Sequence, residues 1–349
     1  MKRKFCLFLS ITALLFAACR STRQVDEAVA SPVIVTEKTP NDTDDPAIWY
    51  NRADPAKSLV LGSDKGDSTG GVFVFGLDGK MDTAKSIRNL KRPNNIDVEY
   101  GFRFRGKAVD IAVFTERGRD MVRVISLPDC RFIDHGGIPV LDDDTLCSPM
   151  GIALYKDKDG EVFAFVSRKT GPTEGYIYQY QLVEIDSYVS AVKVRAFGKF
   201  SGRKEIEAIM VDDELGYVYY ADEQVGVRKY YADAGKGNEE LALFAQTGIL
   251  EDHEGLSLYL GKEGKGYIIL SDQQANKFHL FSREGGKNSP HDHQLVRIVK
   301  TMTRESDGSD ILNLPLNATF PNGLFVAMSS DRTFQYYKAE DIIGEMNMK

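Results

Sequence analysis

With 349 residues, 42% of them hydrophobic, 10% aromatic and 27% charged, the chain has the composition of a folded globular protein and the length to bury a large core. Its formal net charge of −7 argues against nucleic acid as a partner. An anionic ligand would need a local basic cluster, or bound cations that reverse the local sign.

The first segment has the pattern of a processing signal. Met1-Lys2-Arg3-Lys4 is basic, Phe5 to Phe16 is largely apolar, and Ala17-Ala18-Cys19 follows. This arrangement resembles a bacterial lipoprotein signal, although Phe16 stands where such signals usually carry Leu. The resemblance implies removal of residues 1–18, lipidation of Cys19, a polar tether over 19–32 and a folded domain over 33–349. The protein is then expected in the cell envelope, periplasmic or at the cell surface, touching a membrane only through its lipid. The apolar run is short for a membrane span and no second one follows. Loss of residues 1–18 removes Lys2, Arg3 and Lys4 and shifts the net charge to −10. An exported compartment permits a disulfide between Cys130 and Cys147. No Cys/His cluster has zinc-ligand spacing. His291 and His293 lie in a loop bounded by Gly, Ser and Pro and are expected to be solvated.

The remainder is organised by a repeat. One series of short apolar strands reads Leu59-Val60-Leu61-Gly62-Ser63-Asp64, Asp110-Ile111-Ala112-Val113-Phe114 and Val162-Phe163-Ala164-Phe165-Val166. It continues through Tyr217-Val218-Tyr219-Tyr220, Tyr267-Ile268-Ile269-Leu270 and Leu324-Phe325-Val326-Ala327. Each is followed by an alternating strand, from Val72-Phe73-Val74-Phe75 to Phe334-Gln335-Tyr336-Tyr337, and preceded by a third, such as Ala47-Ile48-Trp49. Gly, Asp and Lys turns separate them, Asp157-Lys158-Asp159-Gly160 among them. The repeats start about 50–57 residues apart, close to the ~40–50-residue blades of a propeller. The expected fold is an all-β six-bladed β-propeller of four-stranded antiparallel blades. Helical periodicity is confined to Lys338–Met346.

Five of the six repeats open on acidic residues: Asp44-Asp45-Pro46, Asn94-Asn95-Ile96-Asp97, Glu205-Ile206-Glu207, Asp252-His253-Glu254 and Asp307-Gly308-Ser309-Asp310. If each opening strand is innermost, these residues gather at one mouth of a central channel. The third repeat opens on Pro149-Met150 instead. The ends of the next strands reach the same face, adding Lys65, Arg117, Arg168 and Lys169 from the first three repeats. The last three add Asp222, Glu223, Asp272 and Asp331. Carboxylates at this density repel one another unless cations occupy the site, and Ca²⁺, which takes 6–8 oxygens, suits them. A basic arc beside several Ca²⁺ ions is a place for a phosphate ester.

The segments Asp44-Asp45-Pro46-Ala47-Ile48-Trp49, Asn94-Asn95-Ile96-Asp97, Asp212-Asp213-Glu214-Leu215-Gly216, Glu254-Gly255-Leu256 and Gly264-Lys265-Gly266-Tyr267 together resemble the β-propeller phytases, from about residue 40 to the C-terminus. The resemblance implies a calcium-dependent hydrolase that releases phosphate from phytate (inositol hexakisphosphate) by attack of a calcium-activated water, acting as a monomer. It implies calcium ligands, and so catalytic positions, at Asp45, Glu207, Glu223, Asp252, Glu254, Asp307 and Asp310. Asp44 and Asp97 join the metal-binding set, Asp44 and Asp45 also serving a structural calcium. Lys65, Arg117 and Lys169 match positions that bind substrate phosphate, with Lys158 as a further candidate, and Glu37 corresponds to a glutamate upstream of the Asp-Asp motif. The chain departs from the family at Met150, where a phosphate-binding Tyr is common, and at Lys65-Gly66, where a lysine pair is usual. Two other readings stand beside this one: a lipid-anchored propeller that binds phosphorylated ligands without turnover, and a six-bladed calcium-dependent lactonase or esterase.

Overall fold

β-Branched and aromatic residues alternate with small or polar ones along most of the chain, and in the computed structural model, which describes residues 25–142 and 148–344, they form six small antiparallel sheets. Blade 1 comprises Thr43–Trp49, Leu59–Asp64, Gly70–Phe75 and Ile87–Leu90. Blades 2 to 5 begin with inner strands Pro93–Phe104, Pro149–Lys156, Ile209–Asp212 and His253–Leu260. Blade 6 has Ser309–Leu312, Leu324–Ser329 and Thr333–Lys338. Its outer strand is Ile34–Val35, from the other end of the chain, paired antiparallel with Thr333–Lys338. The first and last parts of the domain thus close the ring within one sheet. The only α-helix among the described residues is Ala339–Ile343, inside the stretch where a helix is expected.

The described part of the expected 19–32 tether, residues 25–32, includes a strand. Asp26–Val29 pairs in parallel with Leu295–Lys300 and adds a fifth strand to blade 5. The signal segment and Cys19 lie outside the described residues, as does Cys147, the expected partner of Cys130. Cys130 itself is buried, which pushes its thiol up to about 11. No helix among the described residues is long and apolar enough to cross a membrane.

The core lies between neighbouring blades. Where blade 1 meets blade 6, Val60, Phe73 and Phe75 pack on Val326, Phe334 and Tyr336, all fully buried. Each such side chain contributes about 1.5–3 kcal/mol by burial. Gly62 is required here, because a Cβ would stand 2.1 Å from the Phe334 ring. All six inner strands line one central cavity of about 130 Å³, so the strand that opens each repeat is the innermost.

The inner strands of blades 1, 2, 3 and 5 share an irregularity. Pairing breaks between Thr43 and Pro46, Pro93 and Ile96, Pro149 and Ile152, and His253 and Leu256. Two residues of the inner strand there face one residue of its neighbour, which makes a β-bulge and re-aims the side chains. The residue opposite each bulge carries a hydroxyl: Ser63, Thr115, Ser167 and Ser271. Thr115 Oγ1 donates to Met150 O at 2.7 Å, Ser167 Oγ to Ile206 O at 2.6 Å and Ser271 Oγ to Ser306 O at 2.8 Å. Those three bonds hold the chain as it enters the following blade. In blade 1, Ser63 Oγ donates within the blade, to Asp45 O at 3.2 Å.

Candidate functional site

The bulges decide where the acidic residues go. Asp44 and Asp45 are adjacent, yet they serve different places. The Asp44 carboxylate is fully buried at the channel mouth, with Oδ1 3.0 Å from Lys65 Nζ. Asp45 turns into the channel, where Oδ2 accepts from Ile96 N of blade 2 at 3.2 Å. Gly308 makes room for it, since a Cβ there would stand 2.2 Å from Asp45 Oδ1.

Asp97 and Asp310 behave like Asp45. Asp97 Oδ2 accepts from Leu154 N of blade 3 at 2.7 Å, and Asp310 Oδ2 accepts from Ile48 N of blade 1 at 2.7 Å. All three line the channel cavity. Burial pushes each of their carboxyls up, Asp97 to about 7. The expected single acidic mouth is therefore two groups. A channel trio holds backbone amides of neighbouring blades, and a separate cluster occupies the mouth.

The mouth cluster joins Asp44 to Glu205, Glu207, Glu223, Asp252, Glu254 and Asp307. Carboxylate oxygens of Glu205, Glu207 and Glu223 lie within 4.8 Å of one another, and so do those of Glu223, Asp252 and Glu254. Gly151 lets blade 3 press against this cluster, for a Cβ there would meet Glu207 O at 1.8 Å. Burial and mutual repulsion raise Glu207 and Glu254 well above the usual carboxylate range, and burial raises Glu223 to about 7.

Three lysines enter the same space. Lys65 Nζ reaches Asp307 Oδ2 at 2.5 Å as well as Asp44, and Lys169 pairs with Glu205. Lys204 Nζ stands 2.8 Å from Glu223 Oε2, 2.7 Å from Asp252 Oδ2 and 3.6 Å from Glu254 Oε1. Burial would push Asp252 up, but bonds from Lys204, Gln224 and Gln274 hold it below the usual range. Even so, while Asp44 Oδ1, Glu205 Oε2 and Glu223 Oε2 have only a lysine ammonium beside them, Asp44 Oδ2, Glu223 Oε1 and Glu254 Oε2 are buried with no donor at all. Asn94 Oδ1 is in the same position, its amide nitrogen being given to Glu207. Buried, unanswered oxygens in this number fit a hard divalent cation such as Ca²⁺.

Not every expected residue belongs here. Arg117 follows the second strand of blade 2, half-buried, and its guanidinium makes no hydrogen bond or ion pair among the described residues. Arg168 is fully buried, with Nε on Tyr176 O at 3.2 Å, and supports blade 3. Asp222 accepts from Ser201 Oγ at 2.7 Å and Arg228 Nε at 2.9 Å, and Asp272 accepts from Leu250 N at 3.0 Å. Both are structural acceptors rather than members of the acidic arc. Asp331 accepts from Thr333 Oγ1 at 2.6 Å within its own turn. Lys158 sits in the turn between Pro149–Lys156 and Val162–Arg168, at the end of the blade away from the mouth, beside Tyr155, Asp213 and Lys236. Glu37 is also remote, with Oε2 accepting from Met81 N at 2.8 Å. Met150 is buried in the bulge of blade 3. His293, expected to be solvated, is buried against Phe244 and Tyr219, because Nδ1 is bonded to Ser282 O at 2.7 Å.

Lys204, Gln224, Gln273 and Gln274 are the mouth residues that sequence reasoning missed, while Glu205 and Asn94 stand in the acidic openings but outside the expected ligand set. The signal was available for most of them. Lys204 and Glu205 adjoin Glu207, while Gln224, Gln273 and Gln274 follow second strands at the same place as Lys65 and Glu223.

Comparison with known proteins gives two findings. Residues 5–339 match the family model described as Phytase. The 3-phytase of Bacillus subtilis (strain 168) is 30% identical over 301 residues, which covers 82% of this chain and 74% of that protein.

Proposed function

The chain belongs to the phytase family, and from that premise we propose that it is a calcium-dependent phosphomonoesterase acting on phytate. The observation that carries this reading is the mouth itself, where buried carboxylate oxygens, several with no donor, converge beside Lys65 and Lys169. Glu205, Glu207, Glu223, Asp252 and Glu254 would hold Ca²⁺, with Asp44 and Asp307 beside them. When bound, Ca²⁺ supplies charge neutralisation for a phosphoryl group and acidifies a water for in-line attack on phosphorus.

The chain's own residues supply the rest. Arg117, at the rim, can grip two phosphate oxygens at once, while lysines act as point charges. Lys65 and Lys169 are held on carboxylates, so a phosphate entering the mouth exchanges one anionic partner for another at little cost in ordering the side chain. Adjacent phosphates of one substrate suit a mouth that combines a cationic rim with an acidic, ion-holding floor. Attack of water breaks the P–O bond, and inositol leaves with its own oxygen. No covalent phosphoenzyme is needed. The exported, Cys19-anchored monomer expected from the sequence is part of the same proposal.

Glu207→Gln tests the assignment. It keeps the side chain's size and removes one charge from the ion-holding set. The expected outcome is phytate hydrolysis reduced about 10–100-fold or more with an unchanged circular-dichroism spectrum, 10–100-fold being the scale on which loss of a group that supports a metal site acts. Hydrolysis at the wild-type rate would remove Glu207 from the site. The second reading, phosphate binding without turnover, is favoured by Met150 in place of a phosphate-binding Tyr; wild-type protein that binds phytate yet releases no phosphate would select it.

A further inference from the structure

We propose that Lys204 is a tethered counter-cation that competes with divalent ions for the Glu223–Asp252–Glu254 set and so fixes how much calcium the site demands. The inference rests on the calcium reading above and concerns a residue outside the carboxylate set. Lys204 Nζ lies 2.7–3.6 Å from carboxylate oxygens of all three residues, and those residues present oxygens within 4.8 Å of one another. Ca²⁺ binds oxygens at about 2.3–2.6 Å, so an ion on this set and the ammonium would share the same oxygens a few ångströms apart. Two positive charges at that distance in a partly buried site repel strongly, and one must leave.

Lys204 is built to be the one that leaves. It belongs to the surface segment Ser201-Gly202-Arg203-Lys204 between blades 3 and 4, and its side chain is 35% exposed at the end of a flexible four-carbon stem. The carboxylates, by contrast, are fixed on strands and strand ends: Glu223 follows Tyr217–Asp222, and Glu254 sits in the bulge of His253–Leu260. Lys65 is placed differently, on Asp44 and Asp307, and does not touch this set. Among the described residues Lys204 is thus the one cation on all three carboxylates, and it must be displaced before an ion can take its place.

Lys204→Met, which keeps the stem and removes the charge, tests this in the full mature chain, with Lys204→Gln as a second variant and Lys204→Arg as the charge-retaining control. Calcium alone is titrated by isothermal calorimetry, and melting temperature is followed with calcium and with chelator. Loss of the competing charge is expected to tighten calcium binding at one site about tenfold or more, with Lys204→Arg near wild type. Without calcium, Lys204→Met melts below wild type, and calcium raises its melting temperature by more than it raises that of wild type. Wild-type calcium affinity in both Lys204→Met and Lys204→Gln would overturn the inference while leaving the calcium reading intact. If neither wild type nor variant binds calcium, both fall together.

Discussion

Ser271 faces the bulge that carries Glu254 and Gly255, and its hydroxyl holds Ser306 O, the residue before Asp307. One hydroxyl therefore couples two mouth carboxylates on neighbouring blades. Ser271→Ala leaves the Ser306 carbonyl buried without that donor and is expected to cost about 1–3 kcal/mol in urea unfolding. A loss below 0.5 kcal/mol, the range of an ordinary surface change, would deny the hydroxyl that role. The same device shows where residue-level sequence reasoning stops. Strand alternation cannot separate Asp44 from Asp45, because the bulge that parts them is a backbone irregularity with no residue type of its own. Ser63, Thr115, Ser167 and Ser271 recur at one place in the second strands and carry that information, but their meaning depends on knowing which strand they face. Asp222 and Asp272 fail for a related reason. They end second strands just as Asp307 and Glu207 open inner ones, yet hydrogen-bond donors from their own blades claim them.

At the scale of elements, the three strands of every repeat were legible because period-2 apolar patterning and glycine-rich turns mark them directly. Outer strands were harder: Arg131–Phe132 and Ala242–Phe244 are too short to carry a pattern, and Ile34–Val35 and Asp26–Val29 pair with residues about 300 and about 270 positions away. The interface of blades 4 and 5 holds another feature that pattern could not reveal. Lys229 of Gly226–Tyr231 is fully buried, with Nζ donating to Pro290 O at 2.7 Å, lying 3.2 Å from His293 Nε2 and 3.8 Å from the centre of the Tyr217 ring. Burial lowers its ammonium to about 8 despite the favourable charge of Asp212. The unfolded chain then binds more protons than the folded one between pH 8 and about 10.5, so this residue makes stability rise with pH across that window. Chemical denaturation at pH 8 and pH 10 should find wild type gaining on Lys229→Met; parallel profiles would mean the ammonium is not depressed.

For the molecule as a whole, the ring gives each acidic residue its neighbours. Inner strands from six blades bring together carboxylates that are up to 266 residues apart in the chain, from Asp44 to Asp310, and closure through Ile34–Val35 fixes their spacing. The repeat count makes that convergence readable in the sequence, together with one face shared by acidic and basic residues. What the repeat could not give was depth: Asp45, Asp97 and Asp310 lie in the channel on backbone amides, whereas Asp44, Glu223 and Glu254 of the mouth cluster keep buried oxygens without donors. Those oxygens are the basis for assigning cation-assisted phosphate chemistry to this end of the propeller. The direct test is inorganic phosphate released from phytate by the purified protein, assayed in calcium and again after chelation. The account predicts release in calcium, its loss on chelation and its return when calcium is restored; equal release with chelator present would contradict it.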